Sequence, residues 1–330
     1  MKIAILGAGS WGTALGHLLQ DNGSEVLLWH LNADFVQQIN SSHRHPFLPE
    51  VQLNNKMHFT SSLDEIVSYG DMMVLALPSQ VIREVLLQLP REWNKPIISV
   101  SKGIENNTGL RVSEIVSQVL DVSLDDIIVL SGPTHAEEVA RKYPCAIVSA
   151  SKNQEYAQKI QEIFSNENFR VYASNDVVGV EIGGASKNII AIAAGICHGL
   201  GFGDNTIAAL VTRGLEEIIR LGISLGAERA TFSGLSGVGD LVVTAYSKHS
   251  RNRQVGIRIG QGEKLQDISA TMNMIAEGVD TSRSIYNLSK SHNIEMPICD
   301  QVYKVLFANT SPRDAILELM RRELVNEHSV

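Results

Sequence analysis

The residues best suited to chemistry are a lysine, an aspartate and an arginine set among small neighbours. Lys187 lies in Gly183-Gly184-Ala185-Ser186-Lys187-Asn188, ahead of the apolar run Ile189–Gly195. A charge at the head of so apolar a helix either snorkels to solvent or lies buried with partners. Small residues around it let a ligand approach closely. An ammonium in a dry site can be tuned down from a reference pKa of ~10.4 and serve as a proton donor. The stretch Gly234–Thr244 reads as a glycine-rich loop delivering one carboxylate, Asp240, and one hydroxyl, Thr244. Asp240 could balance a buried lysine or simply cap a helix. Ser250-Arg251-Asn252 offers a guanidinium between two short polar side chains at a helix start. The helix dipole disfavours an arginine there, so an anionic partner suits it better than a solvated surface.

Two further clusters follow predicted strands. Lys102, in Ser99–Gly103, sits at the carboxyl end of a strand, where open α/β sheets bind ligands, although an exposed loop lysine would look the same. Gly132 and Thr134, in Ser131–Ala136, could contact a substrate or form a plain strand-to-helix turn. Upstream, Gly7-Ala8-Gly9-Ser10-Trp11-Gly12 is a G-x-G-x-x-G directly after a strand and opening a helix. Gly7 supplies a tight turn, Gly9 lets the backbone approach a pyrophosphate, and Gly12 permits close helix–strand packing. Dinucleotide binding is the expectation. The acidic residue that usually holds the ribose hydroxyls about 20 residues on is missing from Trp29–Asn32, which leaves NAD and NADP undecided. His43-Arg44-His45 suggests no third ligand, and no metal site is expected.

These groups need elements to hold them. In the first half, apolar runs at Lys2–Leu6, Glu25–Trp29, Asp71–Leu77, Pro96–Val100 and Ile127–Leu130 read as buried strands, with Ala146–Ala150 a candidate last one. Helical spacing at Trp11–Asp21, Gln80–Leu89, Leu110–Leu120 and Asn153–Phe164 lies between and after them. Such alternation predicts a Rossmann-like, doubly wound parallel sheet. Beyond residue 175 the pattern is helical: Val177–Gly199, Thr206–Leu225, Arg253–Gly260, Thr281–His292, Ile298–Phe307 and Pro312–Arg322. The reading is an α/β domain over 1–175 and an all-α domain over 176–330.

Composition narrows the function classes. The 330 residues are 44% hydrophobic and 19% charged with mean hydropathy +0.02, enough for two cores and unlike disorder. A net charge of −8 without a basic run argues against nucleic acid or an anionic membrane surface. No signal peptide opens the chain, and the most apolar stretch, Ile189–Cys197, is shorter than the ~20 residues that cross a bilayer. Three scattered cysteines suit a reducing cytosol. The absence of G-x-S-x-G and H-E-x-x-H removes most hydrolase readings.

With these clusters in hand, the chain resembles the NAD(P)-dependent glycerol-3-phosphate dehydrogenases of the soluble bacterial type, over nearly its whole length. GAGSWGTAL from Gly7, SKGIE from Ser101, SGPTHAEEVA from Ser131, KNIIAIAAG from Lys187 and GFGDN from Gly201 carry the likeness. So do TRGLEE from Thr212, GVGDLVVTA from Gly237, SRNR from Ser250 and AEGV from Ala276. The resemblance implies reduction of dihydroxyacetone phosphate to sn-glycerol 3-phosphate for glycerophospholipid synthesis, by a cytoplasmic homodimer using NAD(P)H. It implies Lys187 as proton donor, supported by Asn188, Asp240 and Thr244. It puts Lys102, Gly132 and Thr134 on the substrate and Ser250, Arg251 and Asn252 on its phosphate. It puts Ser10, Trp11, Ala136 and Glu277 along the cofactor, with Lys102 and Arg251 near both ligands. Two positions depart from the family pattern: Leu31 and Asn32 stand where His or Arg is usual, and Ser186 where a larger aliphatic is usual. The rival readings are another two-domain reductase, of ketopantoate or a 3-hydroxyacid, and a non-catalytic dinucleotide-binding redox sensor.

Overall fold

The alternating pattern of the first half forms eight strands: β1 (Lys2–Leu6), β2 (Glu25–Trp29), β3 (His58–Thr60), β4 (Met72–Leu75), β5 (Ile97–Ser99), β6 (Ile127–Ser131), β7 (Cys145–Ala150) and β8 (Phe169–Ser174). The structure, a computed structural model, describes residues 1–89, 93, 95–272 and 276–327. Helices of this half are α1 (Ser10–Asp21), α2 (Ala33–Ser42), α3 (Leu63–Tyr69), α4 (Ile82–Leu86), α5 (Val112–Leu120), α6 (Ala136–Ala140) and α7 (Gln154–Phe164). Strand order is β3-β2-β1-β4-β5-β6-β7-β8, so the order reverses beside β1, where the chain crosses from the β2 side to the β4 side. Such a switch point, at the carboxyl ends of the strands, is where doubly wound sheets hold their ligands.

Several expectations are corrected. The sheet is mostly parallel rather than wholly so: β7 pairs antiparallel with β6, and β8 pairs parallel with β7. The helix between β6 and β7 has five residues, roughly 7.5 Å of rise, against roughly 17 Å for a strand of that length. It is too short to carry the chain back for another parallel crossover. Strands β3 and β8 and helices α2, α3 and α6 were absent from the sequence reading. The helix read at Gln80–Leu89 is a 3₁₀ turn, Ser79–Val81, followed by the short α4.

The second half is helical: α8 (Val177–Gly199), α9 (Asp204–Ser224), α10 (Arg229–Phe232), α11 (Asp240–Tyr246), α12 (Arg251–Gly260), α13 (Leu265–Thr271), α14 (Glu277–Ser291), α15 (Pro297–Phe307) and α16 (Pro312–Met320). The chain divides into two units, Met1–Lys102 with Arg111–Val177, and Gly103–Leu110 with Val178–Val330. The second unit therefore takes in a short segment far upstream of residue 176. Its central helix is α8, whose 23 residues make it long and apolar enough to cross a membrane, contrary to the shorter estimate from sequence. That apolar surface is 94% buried inside the protein.

Glycines let α12 lie directly on α8. A Cβ added to Gly195 would lie 2.2 Å from the Arg253 carbonyl oxygen, and one on Gly256 would lie 2.0 Å from that of Ile192. Gly199 and Gly260 repeat the close approach one turn on, at 2.2 Å from Ile257 O and 2.5 Å from Ile196 O. Contact at this range excludes any side chain, so the backbone seam sets the spacing of the two helices.

Candidate active site

In the first unit the glycine motif forms the turn between β1 and α1. Gly7 has φ +115°, and an added Cβ would sit 2.3 Å from Ala76 O. Both facts demand glycine. A Cβ on Gly12 would lie 1.9 Å from Gly7 O, so α1 packs straight over the turn. Gly9 differs: its φ is −73°, and no atom lies within 4 Å of an added Cβ. It faces open space at the start of α1, where the N–H groups of the first turn have no intrahelical acceptor and no side chain caps the end. Ser10 is buried and Trp11 half-buried beside it. A main-chain cradle of this kind fits a dinucleotide pyrophosphate.

His45 supports the turn from behind. Phe47 N–H donates to its Nδ1 at 3.1 Å, so the proton sits on Nε2, which donates to Ala8 O at 3.1 Å. Burial holds its pKa below the usual histidine value and keeps the ring neutral. The histidine weighed as half of a metal pair is thus a structural prop. Among the described residues, no group of three His, Cys, Asp or Glu is placed to hold a metal. At the end of β2, Asn32 Oδ1 caps α2 by accepting Phe35 N–H at 3.0 Å, and His30 Nδ1 accepts Asn32 N–H at 3.1 Å. Leu31 is 80% exposed between them. Burial lowers the pKa of His30 as well, so this edge presents no carboxylate and no cation at neutral pH.

Lys102 and the segment after β6 come together. Lys102 Nζ donates to Gly132 O at 3.0 Å, and Thr134 Oγ1 donates to the same oxygen at 3.2 Å. Gly132 lies against β7, where an added Cβ would be 3.0 Å from the Ile147 α-carbon. Ala136, buried, opens α6 just beyond.

In the second unit Lys187 stands in the middle of α8 rather than at its head, and it is 6% exposed. Its Nζ forms an ion pair with Asp240 Oδ1 and donates to Thr244 Oγ1 at 2.9 Å. Thr244 Oγ1 in turn donates to Asp240 O at 2.6 Å, which turns its lone pairs toward the ammonium. The region read as a loop is a π-turn, Leu235–Gly239, running into α11. Asp240 and Thr244 therefore occupy one helical face, a turn apart. Glycines again allow the approach: a Cβ on Gly183, one turn before Lys187, would lie 2.6 Å from Ser236 O. An ion pair this deep is held by geometry, and removing one partner strands the other charge.

Ser250 is the N-cap of α12, its Oγ accepting Arg253 N–H at 3.2 Å. Arg251 follows, exposed, and Asn252 is buried with Oδ1 accepting Gly278 N–H at 2.9 Å. Two of the three residues assigned from sequence to an anion thus also use an oxygen to hold backbone. Their remaining donors are the Ser250 hydroxyl proton and the Asn252 amide nitrogen. Gly278 lies against Asn188 as well, where an added Cβ would be 2.9 Å from its carbonyl oxygen. Asn188, Asn252 and the start of α14, with Glu277 as its first residue, therefore meet at one point. Sequence reasoning missed His45, Gly278 and the buried hydroxyls of α14, among them Thr281, Ser282 and Ser284. The available signal was a helix whose inward face carries hydroxyls in place of aliphatics.

The chain matches two family models, the N-terminus of NAD-dependent glycerol-3-phosphate dehydrogenase over residues 2–157 and its C-terminus over 176–317. It is 48% identical to a glycerol-3-phosphate dehydrogenase [NAD(P)+] of Bacillus subtilis, covering 99% of this chain and 96% of that one. A protein of the same description from Syntrophotalea carbinolica is also 48% identical, covering 99% of each chain. A crystal structure of glycerol-3-phosphate dehydrogenase from Coxiella burnetii superposes with a TM-score of 0.92 at 34% identity, covering 97% of this chain and 99% of the other.

Proposed function

The chain belongs to the NAD-dependent glycerol-3-phosphate dehydrogenases, which are oxidoreductases, and on that premise we propose that Lys187 is the general acid in reducing dihydroxyacetone phosphate to sn-glycerol 3-phosphate. The observation that carries this is the buried Lys187–Asp240–Thr244 cluster. NAD(P)H, when bound, supplies the hydride to the ketone carbon. Lys187 gives a proton from Nζ to the carbonyl oxygen, so the nascent alkoxide leaves as a hydroxyl. Asp240 balances the ammonium before transfer, and Thr244 fixes its direction. Asn188 braces the same helix turn.

Arg251, with donors from Ser250 and Asn252, holds the substrate phosphate by charge-assisted bonds. Lys102, anchored beside Gly132 and Thr134, adds a second cation for the substrate. Gly7, Gly9, Ser10, Trp11 and Gly12 cradle the cofactor pyrophosphate, with Ala136 and Glu277 as further cofactor contacts and Lys102 and Arg251 near both ligands. The same reading makes the enzyme a cytoplasmic homodimer that supplies the backbone of glycerophospholipids. The net charge of −8 supports the absence of a nucleic-acid partner, and the burial of α8 supports the absence of membrane insertion.

The test is the near-ultraviolet loss of reduced nicotinamide with dihydroxyacetone phosphate, run in parallel with NADH and NADPH. Phosphate-free dihydroxyacetone and ketopantoate are the controls. Rapid phosphate-dependent oxidation is expected, and the ratio of the two rates assigns the cofactor that the edge at Leu31 and Asn32 leaves open. Nucleotide binding without turnover would return the redox-sensor reading.

A further inference from the structure

Chain order and packing part company just after Lys102. Gly103–Leu110 follows it directly, yet belongs to the second unit. Ile104 is fully buried in that unit's apolar cluster, and a buried backbone carbonyl needs a donor. Ser284 of α14 provides it, with Oγ 2.8 Å from Ile104 O and 2.6 Å from Asn106 Oδ1. One hydroxyl proton thus faces two acceptors on the same short segment. Asn106 Nδ2 also reaches Asp280 Oδ1 at 3.5 Å, one turn earlier on α14. The segment is closed on itself: Glu105 N–H donates to Leu110 O at 3.0 Å, Thr108 Oγ1 donates to Glu105, and Gly109 turns with φ +72°. It is a fixed loop rather than a slack tether. On the other side of the lysine, Ser101 Oγ donates to Leu77 O at 2.6 Å.

We propose that Ser284 is a positioning residue for Lys102: its bond to Ile104 fixes the point at which the chain leaves the lysine, and hence where the ammonium meets substrate. This rests on the reading of Lys102 as a substrate contact. The same helix begins at the Gly278 N–H held by Asn252, roughly 9 Å along the axis from Ser284. One rigid element therefore references both the anion cradle and the exit from Lys102. Without the hydroxyl, Ile104 O is buried unpaired and the loop relaxes to find a donor. A displacement of about 1 Å in a reacting group is enough to cost up to roughly a hundredfold in rate.

The experiment is a double-mutant cycle on steady-state kinetics with dihydroxyacetone phosphate, using Ser284→Ala, Ser284→Thr, Lys102→Arg and the double variant Ser284→Ala/Lys102→Arg. Ser284→Ala is expected to raise KM for dihydroxyacetone phosphate about tenfold with kcat within about threefold. Ser284→Thr, which keeps the hydroxyl, is expected within about threefold of the unmodified enzyme. On a Lys102→Arg background the alanine is expected to add less than about twofold, because the group it positions is already changed. Unchanged KM in Ser284→Ala, or its full loss repeated on top of Lys102→Arg, overturns the proposal. Unchanged kinetics in Lys102→Arg removes the premise instead, and the proposal with it. Should Ser284→Ala not fold, Asn106→Ala removes the second partner alone; a rise in KM of about threefold that vanishes in Lys102→Arg supports the proposal, and no change overturns it.

Discussion

The two units build their sites from different materials. In the first, the glycine turn offers backbone: Gly9 opens onto empty space, the first turn of α1 offers its N–H groups, and the nearest titratable prop, His45, is neutral. In the second, the site is side chains: Lys187, Asp240 and Thr244 buried against one another, with Asn252 tied to Gly278. Glycine serves both, but differently. At Gly7 it permits a conformation, and at Gly183, Gly195 and Gly256 it permits contact between helix backbones. A main-chain site recognises an anion whatever the neighbouring side chains are, whereas a side-chain site places one proton at one atom and depends on each partner. Substitutions should therefore act sharply in the second unit and in a graded way in the first.

The sharpest case is Lys187→Ala. It should lower kcat by about 10²–10⁴-fold while nucleotide affinity, measured by fluorescence titration, stays near that of the unmodified enzyme. Loss of nucleotide binding along with turnover would mean that the lysine shapes the whole site and is no dedicated acid. Arg251→Ala comes next. Losing a charge-assisted contact of about 1.5–3 kcal/mol should raise KM for dihydroxyacetone phosphate roughly 10–100-fold. It should leave the low activity on phosphate-free dihydroxyacetone almost unchanged, and an equal effect on both substrates would place the guanidinium elsewhere.

How much of this was legible in the sequence follows the same division. Backbone constraints write themselves as glycine at fixed spacing, so the turn at Gly7–Gly12 was readable, and β1 and β2 fell where the apolar runs put them. Strand direction leaves no periodicity, so the reversal at β7 was not readable. Nor was β3, whose three residues are too short for a pattern. In the second unit Lys187 stood out as a charge in an apolar run. Its pairing with Asp240, 53 residues away, was a chemical guess that no spacing encodes. The glycines of Gly234–Gly239 read as a loop because a π-turn has the same composition. Serines such as Ser284 carry no signal until the carbonyl they serve is known.

A paired substitution in the first unit separates turn from receptor. Gly7→Ala must fit a Cβ at φ +115° against Ala76 O and should cost about 1–3 kcal/mol of stability or more, read as a lower Tm. Gly9→Ala meets nothing within 4 Å and should leave Tm almost unmoved. It should instead weaken nucleotide binding about tenfold, since the added methyl occupies the approach to the pyrophosphate. Equal effects on both quantities in both variants would erase the distinction between holding the turn and meeting the ligand.

The gentlest test is pH, where a unit held by buried charges should respond and a main-chain turn should not. Glu217 of α9 lies buried and accepts Ile298 N–H at 2.7 Å and Cys299 N–H at 3.1 Å, so it caps α15 from a neighbouring helix. Burial pushes its pKa up to about 7, against the pull of those two N–H groups and of Arg220. A carboxyl raised in the folded state keeps its proton there after the unfolded chain has lost it. Folding stability should therefore fall as pH rises from about 4.5 toward 7 and level off above that. Glu217→Gln holds the neutral form and one acceptor at every pH, so its Tm should lack that slope and approach or exceed the unmodified protein's above pH 7. His45 and His30, both lowered by burial, are already neutral over the upper part of this range and add no slope there. Calorimetry from pH 5.5 to 8 should show a decline of a few degrees that the glutamine variant abolishes. An identical decline in both proteins would move the pH sensitivity away from Glu217 and weaken the contrast between the two units.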